Sequence, residues 1–376
     1  MTAVRYTLLI DGRPASSDLL AAISQIEVED HADMADMLRL RIAIAPRDGC
    51  SDWVVVDEGL FSRLTNIKIL VTVGSGPAEP LIDAYVTETN ANFANQPGQS
   101  MLNVVAMDPT VLMNLQEKVK SWPNMTDSEI ATAIFGDRDY GFVPVVEATK
   151  WKHQATDQPA VQRGTDIRFL RQLARRNGYE CYVEMNPLTG LIEGHFHRPR
   201  LEQSPQGVLS VNMGEATNVN SFNARYDMLR PTTAQVTGLD IETQSDQPAQ
   251  AARPALPGLG KRPVLNGDRP RRVLLSQTGQ ARTGELQTRA QAVADRSAWA
   301  ITADGELNTV AYGGILRAKR PVNVRGAGKQ FSGTYYVRKV LHTFSGDSYT
   351  QRFTLRRNAL GLTGQERFVE DRALTS

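Results

Sequence analysis

The sequence has few cysteines, no long apolar run and almost no net charge. Its 376 residues include two cysteines, Cys50 and Cys181, which lack metal-ligand spacing and are too few for a disulfide framework. No run approaches the roughly 20 apolar residues that span a bilayer. Asp11-Gly12 follows the short apolar stretch at the N-terminus, where a signal peptide would have a cleavage site. We therefore expect a protein that is made and folded in the cytoplasm.

The balance of charge argues against a general attraction to polyanions. There are 42 basic and 41 acidic side chains, a net charge of +1, so nothing draws the whole chain to nucleic acid or to an anionic membrane. The hydrophobic fraction of 41% is ordinary for a globular protein. The length predicts two or three domains, each large enough to bury a core.

The first hundred residues predict β-structure. Leu38–Ile44 alternates apolar residues with Arg39 and Arg41, the period of a half-buried strand. The same alternation runs from Ile67 to Val73 and ends at a Gly-Ser-Gly-Pro turn. Two further strands are predicted near residues 81–89 and 101–107. Later in the chain, residues 349–356 predict another strand, in which Gln351 interrupts the apolar face.

Three helices are predicted between and after the strands. Thr126 and Glu129 form a capping box, and residues 166–177 form an amphipathic helix closed by Gly178. A third helix is predicted from Glu285 to about Trp299. The segment between residues 244 and 272 is rich in Pro, Gly, Ala and Arg, which predicts a loop or mobile linker.

The two β-rich regions repeat each other weakly. Four apolar positions of the first region have counterparts in the second, and the members of each pair are 251 residues apart, as from 73 to 324. This constant spacing predicts duplication of one β-domain. The alternative is two unrelated antiparallel sheets that share a strand rhythm. The paired positions are Val73 with Val324, Val86 with Val337, Phe93 with Phe344, and Val104 with Leu355.

Three stretches carry a resemblance to a known family. Asp166–Tyr179 is similar to the pattern D-x-x-F-L-x-x-L-A-x-x-x-G-Y, Gly333–His342 to G-x-Y-x-V-x-x-V-x-H, and Tyr349–Asn358 to Y-x-x-x-F-x-L-x-R-N. In this order they resemble the late-control D baseplate hub proteins of contractile phages, across about residues 1–360. The same module forms the N-terminal part of the valine-glycine-repeat spike proteins of type VI secretion.

The resemblance implies a fold and its domains. The expected fold is mainly β with helical insertions (α+β), containing two tandem tail-tube-like β-barrels. The implied domains are a first barrel, a helical connecting region, a second barrel in two pieces, a Pro/Gly-rich linker with a helix inserted in it, and a C-terminal tail. They are residues 1–115, 116–178, 179–243 with 300–360, 244–299, and 361–376.

The resemblance also implies a role without catalysis. A homotrimer would form a pseudo-sixfold ring that adapts a sixfold tail tube to a threefold spike and nucleates the tube. Its partners would be the spike, tube or tube-initiator proteins and wedge proteins, with nucleic acid only as cargo in the lumen and no cofactor. The chain lacks valine-glycine repeats, so the spike is expected to be a separate chain. The expected location is a virion tail baseplate or an extracellular injection particle.

Several candidate chemical sites are weighed and none is assigned. Gly258–Lys261 and Gly326–Lys329 both lack the first glycine and the Ser or Thr of a phosphate-binding loop. Glu193, His195 and His197 share one face of a predicted strand, where they are either ligands of a transition metal or a polar strand face or subunit contact; the second interpretation is favoured.

Two functions compete with the structural hub. A tail-associated peptidoglycan hydrolase would need two carboxylates around a sugar cleft, and no pattern marks such a pair. A nucleic-acid-binding tube component would use basic residues, and the predicted helix carries four, for which a protein contact is favoured over nucleic acid. These residues are Arg168, Arg171, Arg175 and Arg176.

The polar faces of two strands remain to be placed. Arg39 and Arg41 on one strand, and Arg352, Thr354 and Arg356 on the other, lie opposite apolar faces. They face the channel, a neighbouring subunit or the outer solvent; the first two are favoured. Tyr336 and His342 are interpreted as strand residues that pack or hydrogen-bond.

Overall fold

The computed structural model is mainly β, with helices between the strands. It describes residues 4–46, 53–96, 98–155, 159–240, 245–251, 253–265, 270–280, 283–346 and 348–368, so the predicted role of Cys50 lies outside the described residues. Thirteen strands join in one large sheet, and the helices group beside it.

The first β-region forms one half of this sheet. Its strands are amphipathic, as in Met37–Ala43, where Leu38, Leu40 and Ile42 are buried and Arg39 and Arg41 are exposed. The buried faces make one apolar core. The elements are β1 (Val4–Ile10), β2 (Arg13–Pro14), α1 (Ser17–Ala22), β3 (Ile23–His31), β4 (Met37–Ala43), α2 (Val54–Asp57), β5 (Asn66–Val73), β6 (Glu79–Asn92) and β7 (Met101–Met107).

The helical region follows, with a core of its own. Thr126 and Glu129 form the predicted capping box, and Gly178 ends the amphipathic helix in the left-handed conformation. A 3₁₀ helix, Pro109–Asn114, opens the region. The other elements are β8 (Glu117–Trp122), β9 (Met125–Thr126), α3 (Asp127–Phe135), β10 (Val143–Val146), β11 (Lys152–His153), β12 (Ala160–Thr165), α4 (Asp166–Asn177), β13 (Glu180–Met185) and β14 (Ile192–His197).

The second β-region completes the large sheet and adds a small one. A 3₁₀ helix spans Gly214–Ala216. The other elements are β15 (Val208–Ser210), β16 (Val219–Tyr226), β17 (Thr232–Asp240), β18 (Ser245–Ala251), β19 (Arg262–Pro263), β20 (Arg271–Gln280), α5 (Thr283–Ser297), β21 (Ile301–Leu307), α6 (Thr309–Tyr312), β22 (Pro321–Arg325), α7 (Gly328–Phe331), β23 (Gly333–Ser345), β24 (Ser348–Arg357) and β25 (Ala359–Leu360).

Two predicted segments differ from the structure. The supposed linker contains strands: β18 and β20 both pair with β17, and α5 packs on that sheet through Leu286 and Ala290 against Ala234 and Val236. Residues 179–197 were placed in the second barrel, but β14 pairs with both β10 and β13, and these strands share the core of the helical region. Strand partners distant in sequence decide both cases.

The two β-regions have the same order of strand pairing. The first runs β3-β4-β7-β6-β5 and the second β16-β21-β24-β23-β22. Irregularities in the pairing fall at matching places: Thr87 in β6 and Arg338 in β23, and Ser24 in β3 and Asn220 in β16. Such bulges mark defined positions in a strand, so the pairing order and the bulges are both shared.

The residue pairing between the regions is not constant along the chain. Corresponding residues of β6 and β23 are 251 positions apart, as are Thr87 and Arg338. For β7 and β24 the offset is 249, because Tyr85 lies opposite Met107 and Tyr336 lies opposite Arg356. Likewise Tyr85 pairs with Asn66 and Tyr336 with Pro321, an offset of 255. The predicted pairs Val73–Val324 and Val104–Leu355 therefore lie on corresponding strands but not at corresponding positions. Turns of unequal length cause the slip.

Candidate assembly surface

The second half of β6 has an open edge. The strand pairs with β7 from Tyr85 to Asn92, but its pairing with β5 ends at Tyr85. From Thr87 to Asn92, no described strand lies along that second edge, and Phe93, just beyond, is 53% exposed. Open edges carry unpaired backbone N–H and C=O groups, which are a template for another strand.

Strand β16 has an open edge as well. It pairs with β21 along one side, and the structure describes no strand along the other. Four of its eight residues, Val219, Phe222, Ala224 and Tyr226, are buried or half-buried, and the other four are exposed polar residues. The large sheet thus ends in β16, while β6 leaves half of its length unpaired.

The edges of β23 and β3, which correspond to the open edges of β6 and β16, pair with each other within the chain, at the junction between the two β-regions. Residues 339–344 of β23 pair with residues 26–31 of β3, and Phe344 lies opposite Ile26. Phe344 is buried there, with its ring centroid 4.2 Å from that of Tyr349. Phe93 holds the matching place at the open edge. The same local structure is therefore paired at one site and unpaired at the other.

Charged side chains at the junction hold the two regions together. The Lys319 ammonium, almost fully buried, lies 2.6 Å from Asp30 and 2.8 Å from Asp36. Lys319 and the hydrogen bonds at Asp30 hold the pKa of Asp30 at about 2, against the opposing effect of burial. Burial raises the pKa of Asp36. Sequence patterns gave no signal for this cluster, because Lys319 lies 283 or more positions from the two acids.

One face of the large sheet is polar across both regions. Arg39 lies opposite Glu27, which lies opposite Thr343, and Thr343 lies opposite Thr350, so all four side chains share a face. Strand β21 of the second region corresponds to β4 of the first. Arg41 lies opposite Asn103 and Glu306 lies opposite Arg352, and Asn103 and Arg352 are corresponding residues. Glu306 and Asp304 therefore hold the places of Arg41 and Arg39. Ten of the charged residues on this face, five of each sign, are Arg39, Arg41, Arg225, Lys339, Arg352, Glu27, Glu29, Glu88, Asp304 and Glu306.

The predicted polar strand faces are only partly as expected. Arg39, Arg41 and Arg352 are exposed, and Arg352 pairs with Glu306 at 3.0 Å. Arg356 is buried instead: its guanidinium donates to Glu180 at 2.5 Å and to Asp33 at 3.2 Å. Strand β13 of the helical region covers this end of β24. Local alternation could not show this, because Glu180 comes from elsewhere in the sequence.

Glu180 is buried at the end of β24 that strand β13 covers. The Tyr336 hydroxyl donates to it at 2.6 Å, and the indole of Trp299 stacks under Arg356. Burial raises the pKa of Glu180 to about 7, although Arg356 opposes the shift. The prediction that Tyr336 and His342 pack or hydrogen-bond is confirmed, since both are buried and His342 lies 2.8 Å from the Tyr349 hydroxyl.

The candidate metal residues lie in the interior. His195 and His197 are buried on β14, 3.2 Å apart, and the ring of Tyr182 stacks on His195. Burial lowers the pKa of His195 to about 2 and that of His197 to about 4. No three His, Cys, Asp or Glu residues of the described chain are placed to hold a metal ion. The expected polar strand face or subunit contact is therefore a buried aromatic cluster with Glu193 at its edge, 3.2 Å from His195.

The remaining candidates have structural places. Gly258–Lys261 turns so that the Leu259 carbonyl accepts hydrogen bonds from Arg357, and Gly260 lies against the same guanidinium. Cys181 is buried, which raises the pKa of its thiol to about 12. On α4, Arg168 is exposed, whereas Arg176 pairs with Asp127 within the chain.

The chain matches one family model, described as Alg8 N-terminal domain, over residues 1–346. The chain belongs to that family. The description differs from the late-control D designation, which stays a prediction, and it names the N-terminal domain of a glycosyltransferase, a class that the motifs did not predict. No curated protein matches the chain.

Solved structures show the fold. A tail protein from Neisseria meningitidis MC58 is 11% identical, with a TM-score of 0.63 over 95% of this chain and 97% of that one. The 43 kDa tail protein of prophage MuSo2 from Shewanella oneidensis is 13% identical, with a TM-score of 0.63 over 94% and 98%. A type VI secretion component of E. coli is 11% identical, with a TM-score of 0.57 over 93% and 76%.

These structures define a class of fold. The chain has the fold of phage tail proteins and of a type VI secretion component whose description notes its similarity to phage T4 tail proteins gp27 and gp5. This agrees with the coarser expectation of a mainly β tail-protein fold. No helix among the described residues is long and apolar enough to cross a membrane.

Proposed function

We propose that this chain is a structural hub of a contractile tail or injection machine, and that copies of it join edge to edge into a ring. The observation that carries the proposal is the pair of open edges on β6 and β16. They correspond, strand for strand, to the edges of β23 and β3 that pair within the chain. A second copy would supply the missing partner for each open edge.

The internal match fixes the residue pairing at the proposed interface. Glu88 corresponds to Lys339 and Phe93 to Phe344 in β23, while Ser24 corresponds to Asn220 in β16. Applied to the junction, this correspondence gives six opposite pairs between one chain and the next. They are Glu88 with Asp227, Thr89 with Tyr226, Asn90 with Arg225, Ala91 with Ala224, Asn92 with Asn223, and Phe93 with Phe222.

The side chains suit this pairing. Phe93 and Phe222 would cover each other's exposed apolar surface, as Phe344 and Ile26 do at the junction. Pairing Glu88 with Asp227 is the one unfavourable contact, since two carboxylates would lie opposite, and Arg225 lies two positions away on the same strand. The alternation also places apolar side chains on the core side and polar ones on the charged face.

The ring that follows has a defined lining. Eight strands of each chain run from β16 to β6 in the large sheet, so three copies would close a barrel of 24 strands without an open edge. The number three comes from the resemblance to the hub family. We infer that the charged face lines the channel. Five basic and five acidic residues on it would give cargo a wall without strong net charge.

The finer assignments belong to the same proposal. Shared pairing order and shared bulges support duplication of one tube-like barrel domain, with the helical region extending to β14 rather than ending at residue 178. The hub would meet a spike, tube or tube-initiator and wedge proteins in a virion baseplate or an extracellular injection particle. The late-control D designation rests on the three sequence motifs.

A peptidoglycan hydrolase or another glycan-processing enzyme is the alternative. One observation favours it: Glu180, with its pKa raised to about 7, and Asp33, with its pKa lowered, both line a cavity. However, the guanidinium of Arg356 donates to both carboxylates and lies between them. We therefore assign them a structural role and propose that the chain is not an enzyme.

Two measurements test the proposal. Native mass spectrometry of the purified chain with its spike should show three hub copies for each spike trimer; two or four copies would overturn the ring. Zymography on purified cell wall should show no clearing by the wild type. Clearing that disappears in Glu180→Gln would establish the hydrolase instead.

A further inference from the structure

An arginine-rich cavity lies where the helical region meets the inserted sheet and helix. It encloses about 330 Å³ and is partly open to solvent. The C-terminal end of α4 packs against α5 at its wall, with Gly178 in contact with Ala292. Both helices turn basic residues toward it. The arginines that line it are Arg171, Arg175, Arg230, Arg296, Arg338 and Arg356.

The lining has more positive charge than its own acids neutralise. Of the six arginines, Arg338 and Arg356 pair with Asp33 and Glu180. The third acid, Asp295, accepts hydrogen bonds from the Ala255 amide and from Gln291. The other four arginines form no ion pair with any carboxylate of the described residues.

Of these four, Arg171 lacks acceptors within the described part of the chain for two of its nitrogens, and Arg296 lies against another arginine. Nε and Nη2 of Arg171 are buried and have no hydrogen-bond partner among the described residues. Arg296 donates to the backbone carbonyl of Arg175 at 2.7 Å, which brings two arginines close together. Burial, and then the neighbouring charge of Arg175, lower the pKa of Arg296. Guanidinium nitrogens buried without an acceptor, like these two of Arg171, are costly, so the cavity favours an anionic occupant.

We propose that this cavity binds a small anion with several oxygens, of the phosphate class. Guanidinium groups donate in a planar fork that matches phosphate oxygens. The volume is at the lower end of the range for small-molecule sites, which suits phosphate or pyrophosphate. The bound anion would tie α4 of the helical region to α5 of the inserted unit, and would stabilise their packing.

Calorimetric titration of the isolated full-length chain with inorganic pyrophosphate tests this site, and does not depend on assembly. The wild type should bind the probe and melt at a higher temperature with it. Arg171→Met should weaken binding about tenfold or more, because charged hydrogen bonds are lost. Arg168→Met is the matched control: it lies on the same helix, is exposed and does not line the cavity, so its binding should equal that of the wild type.

A second variant guards against misfolding. Arg296→Met removes a charge from the opposite helix and should weaken binding similarly, with an unchanged circular dichroism spectrum. No binding by the wild type at millimolar pyrophosphate would overturn the proposal. Equal weakening by Arg168→Met and Arg171→Met would also overturn it, since it would indicate attraction to the basic helix as a whole.

Discussion

Lys319 illustrates how a single buried charge joins the two β-regions. Its ammonium contacts Asp30 on β3 and Asp36 just before β4, while Lys319 itself precedes β22. The ring of Tyr182 covers it at 5.1 Å. Three parts of the chain that are distant in sequence therefore meet at one cation, and the two carboxylates are stable there only while it is present.

Replacing Lys319 should destabilise the fold strongly. In Lys319→Met, two buried carboxylates lose their countercharge, so we expect the free energy of unfolding to fall by about 3–5 kcal/mol in urea titrations. The control is Lys329→Met, at an exposed lysine ten residues further along the chain, which should change it by less than about 0.5 kcal/mol. A loss below about 1 kcal/mol in Lys319→Met would show that the cluster does not hold the regions together.

His342 should make stability depend on pH. Burial lowers its pKa from 6.5 to about 3, so below pH 6.5 the unfolded chain binds a proton that the folded chain excludes. Stability contributed by this residue is complete above pH 6.5 and falls as the pH drops toward 3. Between pH 7 and pH 5 the loss should be about 2 kcal/mol. Other groups also titrate in this range, so the wild type is compared with His342→Gln. The free energy of unfolding of that variant should fall by about 2 kcal/mol less between pH 7 and pH 5 than that of the wild type. Equal pH dependence of the two proteins would contradict the assignment.

The open edge of β6 shows how an element depends on its neighbour. Phe93 packs only partly, against Trp53 at 4.8 Å, and remains half exposed. In the proposed ring it is covered by Phe222 of the next chain. The apolar surface of Phe93 that is exposed in the single chain would be buried in the assembly, which is typical of an obligate interface.

Phe93→Asp should prevent assembly without unfolding the chain. The substitution places a charge in the proposed interface and removes apolar burial, so the affinity between chains should fall at least about tenfold, as measured by sedimentation. The matched control is Leu188→Asp, at an apolar residue that is 94% exposed on the helical region. Both variants should melt like the wild-type chain. Normal assembly of Phe93→Asp would contradict the edge assignment.

Sequence patterns predicted elements well where the periodicity was local and strong. Strand β4 and helix α4 have the predicted faces and ends, because their alternation, capping residues and Gly178 act over a few positions. Gln351 interrupts the apolar face of its strand, yet its side chain is buried. Its amide oxygen accepts a hydrogen bond from the Leu316 N–H, and its amide nitrogen donates one to the Gly314 carbonyl. The strands of residues 245–280 were missed because their stability comes from pairing with β17 and from α5, not from their own composition.

The site was less predictable than the fold. A constant offset of 251 identified corresponding residues on β6 and β23, but only corresponding strands elsewhere, since it ignored unequal turns. Arg356 and Lys319 belong to clusters whose members come from several segments of the chain. No residue spacing in the sequence could therefore predict these clusters. The open edges could not be read from sequence at all, because an edge is defined by which strand is missing beside it.

In the proposed ring, the whole molecule is one repeating unit of a closed sheet. The two β-regions pair internally at β3 and β23, and the same geometry remains unsatisfied at β6 and β16. A chain that pairs with itself once and leaves an equivalent pair of edges open can continue the sheet into an identical neighbour. Closure would then pair the open edges of β6 and β16, which could otherwise cause aggregation.

A designed disulfide across the proposed interface tests this account most directly. Asn92 and Asn223 are exposed and would lie opposite each other in neighbouring chains. With Cys50 and Cys181 replaced by Ala, the Asn92→Cys/Asn223→Cys variant should oxidise to covalent dimers and closed trimers on non-reducing gels. The control Asn92→Cys/Asn220→Cys shifts one thiol by three residues, about 10 Å, and should remain monomeric. Equal cross-linking in both variants, or none in the first at concentrations where the chain assembles, would contradict the ring.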